Sequence, residues 1–554
     1  MTKLSDLKLW WYFFLYTFFV SFAVQFILLP YILPSLHAGN GLLTSSFDSR
    51  SFHQIAIDLA DKIRTQGWSA WQLRPRGQVP AGIGSVFYFF ILPDPRIFIP
   101  ITSALHASAA LILVNCTNLL LKNKAKSILC VLPFLVFPSN LQWTAQWHRD
   151  GFAILGVILI LQALILLSQL AKHKVGRWIF NNFISIGSFL CGFFLIWLGR
   201  PYILKIVSPF VMLFFLLLFI ITFIRLFKRE MQWENTLLFS ISILSILFII
   251  SKANICCDYA GFGVSVQSLE DRKSALTIED YKKITAGIPE DKKQDLLIEA
   301  YRKIAEEVLK SGPAVIEKAT PEITPKPAPA AIEKITLEIT PKPVKYPPTL
   351  EDYKNITADI PENKKQAFLL EAYKKIAEDV PKEQLWENLK WFPTFINSNA
   401  YSLAQSRSGF RFSGGKSIID SNIGFGNVID LLIYLPRAAQ IVFLAPFPNQ
   451  WLEEGSLPAN ILMRRASAFE MIIVYFFLLF LPYALWHWRK RIEIWLISTF
   501  CFYIMLVYGL VVCNIGSLYR MRYVYIMVLV ALGVAGFIVF LNDIKSKLAR
   551  RHLI

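Results

Sequence analysis

The chain has 554 residues, of which 55% are hydrophobic, 14% aromatic and only 17% charged, and its mean hydropathy is +0.46. A soluble protein could not hydrate that much apolar surface, so the composition excludes a secreted disulfide scaffold, a nucleic-acid factor and a cytosolic enzyme as descriptions of the whole chain. The net charge of +18 comes mainly from Lys and Arg in short connectors between apolar runs, which membrane topology explains better than a polyanionic partner.

Ten apolar runs predict an all-α polytopic membrane protein, because each is near the length of about 20 residues that crosses the hydrocarbon as a helix. The first run is too long and too aromatic for a signal peptide and has no small-residue cleavage site after its apolar core, so we expect an uncleaved span. The predicted spans are 9–34, 97–121, 127–143, 151–171, 178–198, 201–224, 236–251, 467–486, 493–513 and 523–541.

Basic residues predict the orientation of these spans. With the N-terminus in the cytoplasm, the cytoplasmic connectors and termini hold 18 Lys and Arg residues, and the short connectors on the other face hold four. Such an excess of Lys and Arg is typical of the cytoplasmic side of a membrane protein. We therefore predict that both termini are cytoplasmic and that the large loop 252–466 is extracytoplasmic.

Two further apolar stretches do not fit a simple span. Residues 81–92 would cover only about 18 Å as a helix. Residues 426–447 are long enough, but they contain Asp430, Arg437 and two prolines. Counting either stretch alone as a span would invert the basic connectors that follow it. We expect both to be interfacial or re-entrant segments on the outer face.

The large outer loop contains an internal duplication. Residues 277–308 and 349–380 match at 23 of 32 positions with an offset of 72. Each unit predicts a short helix, a turn with a proline and an amphipathic helix. The segment 312–348 between them is rich in Pro and Lys and predicts an extended spacer. We interpret the insert as an accessory module that does not carry the chemistry.

Three regions follow from these patterns. The membrane spans cluster at the two ends of the chain, and the duplicated insert separates them. We predict that the first outer loop, which follows the first span, carries the catalytic residue. The predicted regions are 1–251 with the first outer loop 35–96, the extracytoplasmic insert 252–425, and 426–554 with an interfacial segment and the C-terminal spans.

The first outer loop supplies three candidate site residues. Asp48 precedes an amphipathic helix, so its carboxylate either caps that helix or takes part in chemistry. Arg74 and Arg76 stand just before the short apolar stretch 81–92. Basic residues in that position either contact lipid headgroups or bind an anionic substrate.

The remaining candidates stand at the outer ends of later spans. A charge near hydrocarbon is costly and needs a partner or an aqueous cavity, and guanidinium groups bind phosphate or carboxylate in a bidentate manner. An Asp at the start of a helix is also a plausible N-cap. These residues are His148, Arg149 and Asp150 in QWHRDG, Arg200 and Lys205 in LGRPYILK, and Arg520 and Arg522 in GSLYRMRYVY.

Isolated carboxylates with several arginines at the outer membrane boundary favour one kind of substrate. They suit a lipid-linked phosphate with an acid or base carboxylate beside it. They do not suit a proton-coupled transporter, which needs carboxylates near the bilayer midplane, and the centres of the predicted spans carry almost none.

The order of these motifs resembles the GT-C superfamily of polytopic glycosyltransferases, in particular its bacterial PMT-like members. An early Asp in a long first outer loop is followed by a short apolar segment, a Trp-rich HRD turn, an RPY turn and a terminal R-x-R. The resemblance covers roughly 9–230 and, more loosely, 426–541, and it does not include the duplicated insert. It implies a GT-C-like fold in a bacterial inner (plasma) membrane.

The resemblance also implies roles for the matching residues. Asp48 would be the general base toward the acceptor hydroxyl. Asp150 would bind the acceptor or, in metal-dependent members, the ion. Arg200, Arg520 and Arg522 would hold the phosphate of a polyprenyl-phosphate-linked sugar. The other predicted substrate-binding residues are His148, Arg74, Arg76 and Lys205.

A strict metal requirement is not supported by the sequence. Asp48 lies in D-S-R, with no second acid two residues on, and the seven cysteines show no metal-ligand spacing. The sequence therefore identifies no particular cofactor. Binding of a divalent cation is left as an open alternative.

The predicted function is inverting transfer of a sugar from a polyprenyl-phosphate-linked donor to an envelope glycan or lipid acceptor on the non-cytoplasmic face. A polysaccharide polymerase or ligase that uses a lipid-pyrophosphate-linked oligosaccharide is an alternative of the same class. A non-enzymatic membrane scaffold with an outer binding module is an alternative of a different class.

Overall fold

The computed structural model describes residues 5–170, 175–227, 386–411, 417–453 and 458–551. Their regular secondary structure is helical, with two isolated β-bridges and no strand in these ranges. The all-α class is therefore confirmed. The repeat units 277–308 and 349–380, the spacer 312–348 and the predicted span 236–251 lie outside the described residues.

The helices follow the apolar runs of the sequence. In chain order they are α1 (Asp6–Ala23), which continues as a π-helix (Val24–Ile32), α2 (Phe47–Gln66), α3 (Val79–Phe90), α4 (Ile99–Leu121), α5 (Lys124–Val136), α6 (Leu141–Thr144), α7 (Asp150–Leu170), α8 (Val175–Gly199), α9 (Tyr202–Phe227), α10 (Thr394–Arg411), α11 (Val428–Leu444), α12 (Pro458–Leu478), α13 (Leu481–His487), α14 (Ile492–Val511) and α15 (Ile515–Arg551). Short 3₁₀ turns lie at Pro34–Leu36, Trp68–Ala70, Pro75–Gly77, Pro95–Phe98, Pro138–Asn140 and Pro448–Gln450.

Within the described ranges, seven helices are long and apolar enough to cross a membrane, or eight if one bent pair counts as a single span. The protein is thus an integral membrane protein, and the count of ten spans stays a prediction. The described apolar part of α8, Phe183–Gly199, is shorter than these helices. The seven are Asp6–Ile32, Pro95–Leu121, Asp150–Gln169, Tyr202–Ile220, Ile461–His487, Ile492–Val511 and Ile515–Arg550.

The bent pair replaces the straight span that the sequence predicts over 127–143. Lys124–Val136 and Pro138–Thr144 meet at an angle of 58°. Phe137, between them, has an extended backbone with ψ of 131°. A residue before proline is disfavoured in the helical conformation, so Pro138 explains the break at this position.

The first loop folds as two packed helices, α2 and α3. Phe52, Ile55 and Ala56 on α2 are buried in one cluster with residues of α3 and the 3₁₀ turn that follows it. Trp147 closes this cluster, since its ring stacks on Phe98 at 4.0 Å and its indole N–H donates to the carbonyl of Pro80 at 2.9 Å. The cluster holds the start of α2 next to the turn before α7.

Helices α7 and α8 approach each other through two glycines. A Cβ added to Gly156 would lie 2.7 Å from the carbonyl oxygen of Gly192, and one added to Gly192 would lie 2.6 Å from that of Gly156. At the end of α8, a Cβ on Gly199 would lie 2.7 Å from the carbonyl oxygen of Arg149. This close approach places Arg200 beside the first turn of α7.

Helix α15 is anchored by buried polar contacts. The carboxylate of Glu470, on α12, accepts a hydrogen bond from the Ser139 amide at 2.6 Å and another from the Tyr519 hydroxyl. The Arg522 guanidinium donates to the carbonyls of Val442 and Ala445 at the end of α11. These contacts connect the start of α15 to three other parts of the chain.

The chain divides into two compact units, and the described parts of 1–265, 409–419 and 431–554 form the first. The second contains the described parts of 266–408 and 420–430. In the second unit the buried guanidinium of Arg407 donates to the carbonyl of Ile423 at 2.9 Å and to that of Asp420 at 3.1 Å. All residues of the candidate site described below belong to the first unit.

Candidate functional site

Five of the predicted site residues, far apart in the sequence, meet at one end of the membrane helices. The His148 ring lies between two carboxylates, with Nε2 3.1 Å from Asp48 Oδ2 and Nδ1 3.1 Å from Asp150 Oδ2. Arg520 Nη1 is 3.1 Å from Asp48 Oδ2, and its Nε is 3.4 Å from Asp150 Oδ2. Arg200 Nε donates to Asp150 Oδ1.

Asp48 does not cap α2. The N-cap residue is Ser46, and Asp48 lies inside the first turn, where its carboxylate contacts His148 and Arg520. Its Oδ2 receives both contacts, while its Oδ1 accepts no hydrogen bond from the described residues. The Asp48 side chain keeps 34% of its surface exposed, so the side chain is accessible to a ligand.

Asp150 is the first residue of α7 and lies deep in the cluster. Its side chain is 6% exposed, and Arg200, His148 and Arg520 surround its carboxylate. Arg200 is itself held by a second contact, because its Nη1 donates to the Tyr202 hydroxyl at 2.7 Å. Asp150 therefore organises the cations of the cluster, in addition to any role as a helix cap.

Arg149, for which the sequence predicted no specific catalytic or binding role, also joins the cluster. Its Nη1 donates to Gln78 Oε1 at 3.3 Å. Burial and the neighbouring Arg200 lower the pKa of Arg149, while Asp48 and Asp150 act in the opposite direction. The signal in the sequence was its position between His148 and Asp150 in the HRD turn.

The cluster contains more positive than negative groups. Three guanidinium groups, from Arg149, Arg200 and Arg520, face two carboxylates, from Asp48 and Asp150. Among the described residues, the Nε atoms of Arg149 and Arg520 and the Nη2 atom of Arg200 are buried and have no hydrogen-bond acceptor. A small cavity touches this region and is lined by Asp150, Arg200, Arg520, Ile154, Ile203 and Tyr525, among others.

Electrostatics keep Asp48 ionised. Burial acts to raise the pKa of Asp48, but His148, Arg520 and Arg149 together outweigh it and lower that pKa well below its usual range. The carboxylate is therefore charged at neutral pH and is ready to accept a hydrogen bond from a hydroxyl group. It is also a weak base as long as these cations remain beside it.

The predicted residues Arg74, Arg76 and Lys205 do not make the contacts described above. The Arg74 guanidinium stacks on the Trp197 ring at 3.8 Å and donates to the Trp197 carbonyl. Arg76 has an exposed side chain and a left-handed backbone with φ of 51°. Lys205 is exposed near the start of α9. Substrate binding by these three residues stays a prediction.

Arg522, unlike Arg520, makes none of the contacts of the cluster. Its side chain is 1% exposed, and its guanidinium is occupied by the carbonyls at the end of α11. Its Nη2 also contacts the Met471 sulfur at 3.3 Å. In this arrangement Arg522 joins helices, and substrate binding by Arg522 stays a prediction.

The donor set does not fit a divalent cation. The described residues contain no group of three or more His, Cys, Asp or Glu side chains placed to hold a metal ion. The buried carboxylate of Asp150 lies against Arg200 and Arg520, whose positive charges would repel a cation. We therefore derive no chemical step through a metal.

A scan against protein-family models, a search of curated proteins and a search of solved structures find no match for this chain.

Proposed function

We propose that the protein is a membrane glycosyltransferase that moves a sugar from a polyprenyl-phosphate-linked donor to a hydroxyl group of an envelope glycan or lipid acceptor. The reaction would take place on the non-cytoplasmic face and would invert the anomeric centre. The observation that carries the proposal is the buried excess of guanidinium groups beside one partly exposed carboxylate.

The arginines support an anionic ligand. Three buried guanidinium N–H groups, on Arg149, Arg200 and Arg520, make no hydrogen bond with the described residues, although Arg520 Nε lies 3.4 Å from Asp150 Oδ2. A buried donor without a partner costs about 1–3 kcal/mol, and more when it is charged. An anion that accepts hydrogen bonds from these N–H groups would remove that cost, which would favour its binding. Phosphate suits this arrangement, because guanidinium and phosphate form short, charge-assisted hydrogen bonds.

The position of the cluster supports a ligand with a lipid tail. Asp150 and Arg200 stand immediately at the starts of α7 and α9, and Arg520 lies in the second turn of α15. These helices are long and apolar enough to cross a membrane. A phosphate bound at their ends would have hydrocarbon beside it for an attached polyprenyl chain.

Asp48 is suited to act on the acceptor. Its Oδ1 faces no donor from the described residues and would accept the proton of the acceptor hydroxyl. The acceptor oxygen would form a bond to the anomeric carbon as the bond from that carbon to the phosphate oxygen breaks. The electron pair would leave with the phosphate, whose added charge the arginines would stabilise.

The test is mass spectrometry of envelope glycans in a deletion strain complemented with variants of the gene. We expect one sugar mass to disappear in the deletion, to return with the wild-type protein, and to stay absent with Asp48→Asn at normal protein levels. Asp58→Asn is the matched control, because Asp58 is exposed on the same helix and should restore the sugar.

Each other result of this experiment has a definite meaning. Full restoration by Asp48→Asn would remove Asp48 from the chemistry. An unchanged glycan profile in the deletion would contradict the glycosyltransferase and favour the scaffold. Loss of a whole oligosaccharide block, in place of a single sugar mass, would favour a polymerase or ligase.

A further inference from the structure

Arg520 is shared between two carboxylates, and it is the most accessible arginine of the ion pairs in the cluster. Its side chain is 25% exposed, whereas that of Arg200 is 5% exposed. Arg200 has two fixed partners, Asp150 and the Tyr202 hydroxyl. Arg520 instead contacts Asp48 Oδ2 at 3.1 Å and His148 Nε2 at 3.3 Å, and its buried Nε has no acceptor that meets hydrogen-bond geometry.

The contacts of Arg520 create a conflict for the proposed chemistry. The carboxylate that must accept a proton is the one that Arg520 neutralises, and a carboxylate beside a guanidinium group is a poor base. The same guanidinium is needed for the phosphate that leaves. One movement of Arg520 would resolve both demands.

We propose that Arg520 is a two-position switch that pairs with Asp48 while no donor is bound and moves to the phosphate group when the donor binds. This inference rests on the proposed function and adds an order to it. The phosphate-linked donor binds first, and the departure of Arg520 then makes Asp48 a stronger base toward the acceptor hydroxyl.

Other groups around Asp48 keep it in place when Arg520 leaves. His148, from the turn before α7, stays 3.1 Å from Asp48 Oδ2 and is fixed on its other side by Asp150. Arg149, from the same turn, is held by Gln78 and adds positive charge nearby. From α15 the contact is Arg520 itself, so the departure of Arg520 removes one of two direct partners of Asp48.

The switch couples the basicity of Asp48 to occupancy of the donor site. With Arg520 on Asp48 the carboxylate is a weak base, and it becomes a stronger base once a phosphate takes the guanidinium. A ligand shifts an equilibrium between two states only if it binds one of them more tightly. A phosphate binds more tightly when Arg520 is released from Asp48, because the guanidinium can then pair with the phosphate.

The experiment measures protonation of Asp48 directly, without relying on turnover. The full-length protein in lipid nanodiscs is treated with a carbodiimide and an amine, which modify protonated carboxyl groups, between about pH 7 and about pH 2, a range that extends well below the ordinary pKa of an Asp carboxyl group. Peptide mass spectrometry then gives the extent of modification at Asp48, with the exposed Asp58 as the internal reference. The probes are no ligand, inorganic phosphate, and a polyprenyl phosphate whose binding is measured separately by native mass spectrometry.

We expect the midpoint of Asp48 modification to move upward by at least about one pH unit when a phosphate binds. Arg520→Gln should show the raised midpoint without any ligand and should no longer respond to phosphate. Arg50→Gln is the matched control, because Arg50 is exposed on α2 near Asp48, and it should respond like the wild-type protein. A shift with both phosphates assigns the switch to the phosphate group, and a shift with the lipid alone assigns it to the lipid-linked form.

The results separate the switch from the proposed function. Binding of polyprenyl phosphate with no change of the Asp48 midpoint would overturn the switch and leave the glycosyltransferase intact. A wild-type midpoint in unliganded Arg520→Gln would also overturn it. Absence of phosphate binding altogether would overturn the switch together with the proposed donor.

Discussion

Arg520 and Asp48 are 472 positions apart in the chain, and the Arg520 guanidinium donates a hydrogen bond of 3.1 Å to the Asp48 carboxylate. Asp48 belongs to the amphipathic helix α2, and Arg520 belongs to the long apolar helix α15. This contact brings two distant parts of the chain into one site, and it determines what a change at Arg520 should do to Asp48.

The first prediction concerns the acid limb of the pH profile. The pKa of Asp48 is lowered, and a base loses activity as the pH falls through its pKa, so in the wild-type protein the Asp48 limb of kcat/KM should lie below the ordinary value of 3.8. Arg520→Gln removes one stabilising cation, so this limb should move to higher pH. The measurement is kcat/KM against pH with a synthetic short-chain donor, and an unmoved limb in the variant would contradict the prediction.

The second prediction concerns the contact between α7 and α8. Gly192→Ala should destabilise the protein, because the new Cβ would lie 2.6 Å from the Gly156 carbonyl oxygen. Gly187→Ala, on the same helix, has no neighbouring atom within 4 Å and should be neutral or stabilising by up to about 1 kcal/mol through helix propensity. Thermal unfolding of both variants in detergent is the measurement, and equal melting temperatures would refute the packing argument.

The third prediction concerns Arg522 and the end of α11. Arg522→Lys keeps the charge but loses the planar fork, so one of the two carbonyls of Val442 and Ala445 should lose its donor. The expected loss of stability is about 1–3 kcal/mol for a carbonyl left unsatisfied. Arg465→Lys, at an exposed position of α12, is the control for thermal unfolding. A stable Arg522→Lys variant would show that the carbonyl contacts contribute little.

The fourth prediction concerns Glu470, which is fully buried and accepts hydrogen bonds from Ser139 and Tyr519. Glu470→Gln retains an oxygen acceptor and an amide that can pair with the Tyr519 hydroxyl, so we expect a small effect. Glu470→Leu leaves a buried N–H and a buried hydroxyl without partners, at about 1–3 kcal/mol each. Thermal unfolding should therefore rank wild type and Gln above Leu, and the reverse ranking of Gln and Leu would be evidence against these two hydrogen bonds.

Much of the candidate site was predictable as separate residues but not as an assembly. Charge at the ends of apolar runs pointed to His148, Asp150, Arg200 and Arg520, because such charges are costly without a function. Asp48 was a candidate from its place before an amphipathic helix in the first outer loop and from the family resemblance. Their contacts depend on the packing of helices distant in the sequence, for which one sequence contains no distance information. Their roles in catalysis stay predictions.

The difference between Arg520 and Arg522 follows from helix geometry. Residues two positions apart on a helix point about 200° apart, so the R-x-R motif places its two guanidinium groups on opposite faces. Arg520 accordingly faces the carboxylates, and Arg522 faces the end of α11. The motif predicted that both arginines hold phosphate, and in the structure only Arg520 contacts the two carboxylates.

The sequence predicted the positions of these membrane helices but not the break within one of them. The predicted run 97–121 corresponds to the span Pro95–Leu121, whereas the run 127–143 is broken by 58°. Hydropathy averages over a window and does not register that Phe137 precedes a proline and leaves the helical conformation.

The distance between Asp48 and Arg520 along the chain also has a consequence for biosynthesis. Because α2 is synthesised long before α15, the Asp48 carboxylate has no Arg520 partner until the intervening helices have been inserted. An error that inverts α15 in the bilayer would leave the two groups on opposite sides of the membrane. Formation of this ion pair can therefore serve as a quality check on topology, since it requires that the first loop and the last span reach the same face.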